Sequence, residues 1–270
     1  EIPKKIAGIR KELRDTGSCK AYLNCVDSQN KPLYVQAYML ATKSDKNDPR
    51  FNKAYGIFHN VTEIFQMQQE LEDVQKEVLY AMGTISEGRS RETGNHIKRV
   101  AEFTYLLANL YGLDKQQAEL LKIASPMHDI GKLAIPDAIL NKPGKLTDEE
   151  FEIMKTHAQQ GYDMLCFSNR SILKTAAEIA LTHHEWWNGN GYPQKLKATQ
   201  IPLCGRIVAV ADVFDALSHD RCYKKAWPIN EVVEHMMKNK GVQFEAKLVD
   251  LLVEHIDSFV KIKEEYADKF

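Results

Sequence analysis

Residues 128–137 read HDIGKLAIPD, and the pair His128 and Asp129 at the start of this stretch is the most informative feature of the chain. The pair follows an apolar helical segment and stands between Pro126 and Gly131. Proline and glycine interrupt a helix, so the chain can turn both side chains toward one site. Imidazole and carboxylate groups are common metal ligands. The stretch therefore predicts a metal site at the end of a helix.

Further histidines and carboxylates lie in settings that suit the same site. Glu92 and His96 are four residues apart and share one helix face, provided that the helix begins before Gly94. Asp212 ends the apolar run 207–211, where an unpaired carboxylate would be costly, so its burial predicts a cation nearby. The predicted metal ligands are Glu92, His96, His128, Asp129, His157, His183, His184 and Asp212.

The number and type of these ligands indicate a hydrolytic centre. Imidazoles and carboxylates without thiolates suit iron, manganese or zinc. A structural zinc site closes with about four ligands, usually including cysteine. The predicted set exceeds the needs of one ion, so we expect two or three divalent ions with open positions for water, and hence hydrolysis.

Helical patterns dominate beyond residue 89. Asp114 is predicted to cap a helix that runs through Ala124, and Thr147 with Glu150 to form a capping box. Residues 207–217 read as a buried helix. Strand signals are nearly absent there, so residues 89–270 are predicted to form an all-helical domain.

Residues 1–65 have a different pattern. Residues 34–40 and 54–58 favour strands after a helical stretch, which indicates a small α+β module. The order of helix, polar hairpin, long loop and final strand resembles the back half of a PAS sensor domain. The resemblance implies that this module regulates the rest of the chain, in response to a signal that no haem or flavin signature identifies.

Residues 66–88 are predicted to form a helical linker. Apolar residues recur at steps of three and four, at Ile64, Met67, Leu71, Val74, Val78, Ala81 and Ile85. The pattern lasts about three heptads, so a dimeric coiled coil and an ordinary amphipathic helix both remain open. The coiled coil implies a homodimer.

Composition limits the class of protein. The chain has 270 residues with 36 Lys and Arg against 37 Asp and Glu, and lacks the basic run expected of a protein that binds a nucleic-acid polymer. Five cysteines without a CxxC pair fit reduced thiols, so a cytoplasmic location is expected. No apolar run reaches the ~20 residues of a spanning helix. Because the chain begins with Glu1, we expect a fragment of a longer protein, with any upstream sensor or membrane segment absent.

Several motifs together resemble the HD-GYP family, over residues 89–270. The matching segments are HDIGKLAIPD at 128–137, KPGKLT at 142–147, HHEWWNGNGYP at 183–193, ADVFDAL at 211–217 and DRCYK at 220–224. Asn188 and Cys222 stand where the family usually has Asp and Pro. These two departures put loop detail in doubt, but not the metal ligands.

The resemblance implies a role for each matching residue. His96, His128, Asp129 and Asp212 correspond to the ligands that HD hydrolases share, His157, His183 and His184 to those of a second metal, and Glu92 to the extra ligand of a third. Lys132 corresponds to a catalytic residue that touches the scissile phosphate. The residues implied to bind substrate are Lys132, Asp215, Arg221, Lys224, Gly191, Tyr192 and Pro193.

The implied activity is hydrolysis of cyclic di-GMP to linear pGpG and in some members on to GMP, with cyclic GMP-AMP as an alternative substrate. Iron or manganese is the expected metal. Our hypothesis is that Asp129 bridges two ions, and that a hydroxide between them attacks phosphorus. Three alternatives are a mononuclear nucleotide phosphohydrolase, a non-catalytic cyclic-dinucleotide receptor and a protein that is chiefly a sensor.

Overall fold

The computed structural model describes residues 2–42, 53–89, 94–219 and 225–268. Most of these residues are helical, which confirms the prediction of a mainly helical chain. The chain divides into two units, Glu1–Gln75 and Lys76–Phe270. Within the described ranges, we find no helix that is both long and apolar enough to cross a membrane.

The first unit contains a helix and a three-stranded antiparallel sheet with the order β1-β2-β3. Its elements are α1 (Ile2–Thr16), β1 (Ser18–Val26), β2 (Pro32–Thr42) and β3 (Lys53–Asn60). The strands predicted at 34–40 and 54–58 are confirmed within β2 and β3. Strand β1 was not assigned from the sequence, because Lys20 and Asn24 lower its strand propensity.

Alternation along the strands gives this sheet two different faces. Cys19 on β1 and Ala37 on β2 are buried on one face, and Glu12 of α1 accepts a hydrogen bond from the Cys19 thiol. Tyr22 and Tyr38 are exposed on the opposite face. Helix α1 therefore covers the face that carries Cys19.

The second unit is helical. Helix α2 (Thr62–Arg89) contains the boundary between the two units. The helices that follow are α3 (Gly94–Tyr111), α4 (Lys115–Ala124), α5 (Asp137–Leu140), α6 (Asp148–Leu165), α7 (Ser171–Thr182), α8 (Leu203–Ser218), α9 (Ile229–Lys238), α10 (Ala246–Glu254) and α11 (Ile256–Glu265).

Two predicted helix starts are confirmed by their capping boxes. The Asp114 side chain accepts a hydrogen bond from the backbone of Gln117, whose side chain accepts from the backbone of Asp114. Thr147 and Glu150 make the same reciprocal pair. Each box satisfies two backbone N–H groups that have no partner within the helix, and so sets where α4 and α6 begin.

The core of this unit holds α3 and α8 together. Phe103 of α3 and Phe214 of α8 meet edge to face at 5.1 Å, and both contact Phe259 of α11. Residues 207–211 are buried, which confirms the predicted buried helix. This packing fixes the positions of His96 on α3 and Asp212 on α8.

Candidate metal centre

His128 and Asp129 lie where α4 gives way to two 3-10 turns, Ser125–Met127 and Ile130–Ala134. The Nδ1 atom of His128 lies 2.9 Å from the carbonyl oxygen of Ser125. A carbonyl oxygen only accepts, so Nδ1 carries a proton, and Nε2 presents a lone pair when the imidazole is neutral. The break in the helix, which Pro126 and Gly131 predicted, thus places Nε2 of His128 3.4 Å from Asp129 Oδ2.

His157 and His183 reach the same carboxylate from two other helices. Nδ1 of His157 donates to the carbonyl of Met154 on α6, and Nδ1 of His183 donates to that of Ile179 on α7. Their Nε2 atoms lie 3.1 and 3.5 Å from Asp129 Oδ1. Both imidazoles therefore direct Nε2 toward Asp129, an arrangement that suits ligands of one ion.

Gly131 allows α6 to approach this closely. A Cβ atom at position 131 would lie 1.9 Å from the carbonyl oxygen of His157 and 2.6 Å from the amide nitrogen of Gly161. Both atoms belong to the backbone and cannot rotate away. Any side chain at this position would therefore push His157 away from Asp129.

His184 and Tyr192 complete this side of the cluster. The ring of His184 lies 3.9 Å from that of His183 and 4.7 Å from that of Tyr192. Burial raises the pKa of Tyr192, and the carboxylate of Asp129 raises it further. Tyr192 therefore stays a neutral phenol beside the histidines.

Glu185 holds the loop that carries Tyr192, a role that sequence reasoning missed. Its buried carboxylate accepts hydrogen bonds from the backbone N–H groups of Gln194, at 2.7 Å, and Leu196, at 3.0 Å. Gly191 lies against this segment, and a Cβ there would come within 2.2 Å of the Trp186 nitrogen. The tripeptide Gly191, Tyr192 and Pro193 is thus held in place by Glu185 and Trp186, which precede it closely in the chain.

A second group of ligand atoms surrounds His96. Its Nε2 atom lies 3.8 Å from Asp212 Oδ1, which is also 3.9 Å from His128 Nε2. Buried Glu87 offers a carboxylate oxygen within 4.8 Å of ligand atoms of His96 and His128. Sequence reasoning missed Glu87, because no helical periodicity relates the end of α2 to α3.

Lys132 links the two groups. Its Nζ atom lies 2.6 Å from Asp129 Oδ2 and 3.4 Å from Glu87 Oε2. Burial raises the pKa of Asp129, but the charges of Lys132 and His128 outweigh that effect and hold the pKa well below its usual value. Asp129 is thus an anion that faces both groups.

The unpartnered polar atoms test whether a metal fits here. Nε2 of His128, His157 and His183 are buried without a hydrogen-bond partner, as is Asp129 Oδ1. Each buried polar atom without a partner lowers the free energy of unfolding by roughly 1–3 kcal/mol. Where an imidazole is neutral with its proton on Nδ1, its Nε2 faces Asp129 lone pair to lone pair, an arrangement that a cation between them relieves. The cluster of His, Asp and Glu residues therefore fits a divalent metal.

The electrostatics of the histidines agree with this fit. Burial lowers the pKa of His183 and His184, so both are neutral, as a ligand must be. Burial also acts to lower the pKa of His128, but the carboxylates of Asp129 and Asp212 raise it to about 10. The centre of the cluster thus favours positive charge, whether a proton or a metal ion supplies it.

The structure brings together most of the residues predicted for the site. These are His96, His128, Asp129, Lys132, His157, His183, His184, Tyr192 and Asp212. Gly191 and Pro193 flank Tyr192 in the chain. The predicted ligand Glu92 and the predicted dinucleotide contacts Arg221 and Lys224 lie outside the described residues.

Asp215 was expected to bind substrate, and its placement favours a different role. It is 1% exposed, and both carboxylate oxygens contact protein donors. Burial acts to raise its pKa, yet contacts with His219, His96 and Arg99 hold the pKa well below its usual value. Asp215 is therefore a buried anion that contacts Nδ1 of His96.

Proteins with assigned activities are similar in sequence to about three quarters of this chain. The chain is 48% identical over 206 residues to a 3'3'-cGAMP-specific phosphodiesterase of Vibrio cholerae, a match that covers 76% of this chain and 40% of that protein. It is 43% identical over 201 residues to a cyclic di-GMP phosphodiesterase of Thermotoga maritima, covering 74% and 53% of the two chains. The chain thus spans about half the length of these relatives, or less.

A solved structure and a family model agree on the fold. The crystal structure of a cyclic GMP-AMP-specific phosphodiesterase from V. cholerae superposes with a TM-score of 0.54 at 20% identity, covering 72% of this chain and 51% of that one. Residues 62–248 match the family model of the HD domain. The chain therefore belongs to the HD domain family.

Proposed function

We propose that this chain is a metal-dependent phosphodiesterase that hydrolyses a cyclic dinucleotide. The observation that carries the proposal is the convergence of three buried imidazole Nε2 atoms without a hydrogen-bond partner on Asp129, with the Lys132 ammonium 2.6 Å from the same carboxylate. Residues 89–270 form the catalytic domain in this proposal. The names of the relatives support cyclic di-GMP and 3'3'-cyclic GMP-AMP as candidate substrates.

Two groups of residues would hold two ions, and iron or manganese suits their nitrogen and oxygen donors. One group is Asp129, His157, His183 and His184, and the other is Glu87, His96 and His128 with Asp212 nearby. Glu92 is proposed as the extra ligand of a third ion. When bound, such ions supply Lewis-acid activation of water and phosphate.

The protein's own residues orient the substrate. The Lys132 ammonium, beside Asp129, is placed to neutralise charge on a phosphate oxygen, an interaction that gains strength in a site with little water. The Tyr192 ring forms a neutral wall next to His184. Arg221 and Lys224 are proposed to bind the dinucleotide. No nucleophilic side chain is required, since the attacking group is water.

A turnover assay tests this proposal. Protein purified without oxygen and loaded with ferrous or manganous ion is mixed with cyclic di-GMP or 3'3'-cyclic GMP-AMP, and the products are separated by chromatography. Appearance of linear dinucleotide or mononucleotide supports the phosphodiesterase. Binding of either dinucleotide without product would instead support the non-catalytic receptor.

Replacing Lys132 should lower turnover but leave the metal content intact. In Lys132→Met the aliphatic stem stays while the charge is lost, so we expect kcat to fall by about 100-fold. Metal analysis and steady-state kinetics measure the two effects. Lys240→Met, which removes a partly exposed lysine paired with Asp250, is the control. Unchanged turnover in Lys132→Met would remove Lys132 from the mechanism.

We also propose that residues 66–88 join two copies of the chain and that the PAS-like residues 1–65 regulate them. Six residues of the apolar seam on α2 are among the exposed large hydrophobic side chains: Ile64, Met67, Leu71, Val74, Val78 and Ile85. A second copy of the same seam would cover them as in a coiled coil.

Charges placed in this seam should dissociate the dimer. In the double variant Leu71→Glu and Val78→Glu, like charges would meet in the interface, so analytical ultracentrifugation should show a monomer. Gln66→Glu and Gln69→Glu add the same charge at exposed positions off the seam, and this variant should remain dimeric. A monomeric parent protein would contradict the proposal.

A further inference from the structure

His96 is supported differently from the other buried histidines of the centre. His128, His157 and His183 each donate Nδ1–H to a backbone carbonyl three or four residues earlier. In His96, by contrast, Nδ1 lies 2.7 Å from the carboxylate oxygen Oδ2 of Asp215. A histidine ligand whose other nitrogen meets a carboxylate is a stronger base, and its ring is held in one orientation.

The carboxylate is itself anchored by a buried arginine. Arg99 Nε lies 2.6 Å from Asp215 Oδ1, and its Nη2 lies 3.1 Å from Oδ2. Arg99 is 2% exposed, and its Nη1 donates to the carbonyl of Tyr266 and to Asp268, each at 3.0 Å. This two-point contact leaves Asp215 little freedom to rotate.

Helices α3 and α8 each carry one predicted ligand and one residue that supports it. Helix α3 carries His96 and, three residues later, Arg99. Helix α8 carries Asp212 and, three residues later, Asp215. Residues three apart lie on one face of a helix, so each helix presents a ligand and its support together. The ion pair between the two supports thus sets the position of His96 relative to Asp212.

We propose that Asp215, held by Arg99, is a positioning residue that controls metal affinity in one half of the centre. It fixes the proton of His96 on Nδ1 and aims Nε2 at the group that contains Glu87, His128 and Asp212. The group around His157, His183 and His184 has its own backbone supports and does not depend on Asp215. This inference rests on the proposed metal-dependent function.

The variant Asp215→Asn tests the inference. Its amide can donate to Nδ1, which would move the proton of His96 to Nε2 and block the ligand atom. Calorimetric titration of metal-free protein with manganous ion should show one class of site weakened by about 10- to 100-fold and the other unchanged. Electron paramagnetic resonance of the manganese-loaded variant should show the corresponding loss of paired ions.

Two further variants separate positioning from stability. Arg99→Lys keeps the charge but loses the two-point contact, so the same class of site should weaken by less. Glu245→Gln removes the carboxylate of another ion pair, partly buried, with Arg206, and should leave both classes unchanged. Unfolding midpoints with chelator present report the structural cost of each change.

The inference is overturned if Asp215→Asn binds manganese like the parent, if both classes weaken equally, or if the parent binds only one ion. All three outcomes are measured by metal binding and do not depend on turnover. A parent that binds two ions without hydrolysing any cyclic dinucleotide would contradict the proposed function but not the role of Asp215.

Discussion

Asp129→Asn is expected to abolish turnover and to release most of the bound metal, while the chain keeps its fold. Asp129 faces His128, His157 and His183 together, so its charge serves both groups of ligands. Asparagine has nearly the same volume but no charge. Loss of this electrostatic support should lower kcat by more than about 100-fold.

The fold should survive because Lys132 keeps a second anionic neighbour in Glu87, at 3.4 Å. Three measurements test this prediction. Plasma emission gives the metal content, the turnover assay gives kcat, and circular dichroism with chelator present reports whether the fold persists. Asp250→Asn, which neutralises an exposed aspartate paired with Lys240, is the matched control. A variant that retains its full metal load, with or without turnover, would contradict the assignment of Asp129 as the central ligand.

Gly131→Ala is expected to destabilise the second unit more than any other single-methyl change at the site. The added Cβ would meet two backbone atoms of α6, so α6 must move or the turn at 130–134 must open. Overpacking of this kind costs about 3 kcal/mol or more. For a unit of this size, we expect the unfolding midpoint to fall by roughly 6–12 °C.

Thermal unfolding with chelator present measures this cost apart from metal binding. Gly88→Ala is the matched control, since a Cβ there meets nothing within 4 Å and alanine favours the interior of α2 by up to about 1 kcal/mol. Metal affinity of Gly131→Ala should also fall, because His157 is displaced. An unchanged midpoint would show that α6 is free to shift without loss of packing.

Features that depend on neighbours along the chain were predictable. The capping boxes at Asp114 and Thr147 join residues three apart, and the sequence predicts the cap at Asp114 and the full box at Thr147. The break at His128 follows from Pro126 and Gly131, which act on the backbone locally. Strand β1 escaped notice because pairing with β2, rather than its own propensity, stabilises it.

The sequence by itself determined the helical class, the family and most of the residues of the candidate metal centre, because residue type and local spacing carry that information. Only the tertiary structure placed Glu87 beside Lys132, 45 residues away, and Arg99 against Asp215, 116 residues away. It also placed Asp215, which is predicted to contact substrate, against Nδ1 of His96. Such pairs form where separate helices pack, and packing depends on the whole core rather than on any periodicity along the chain.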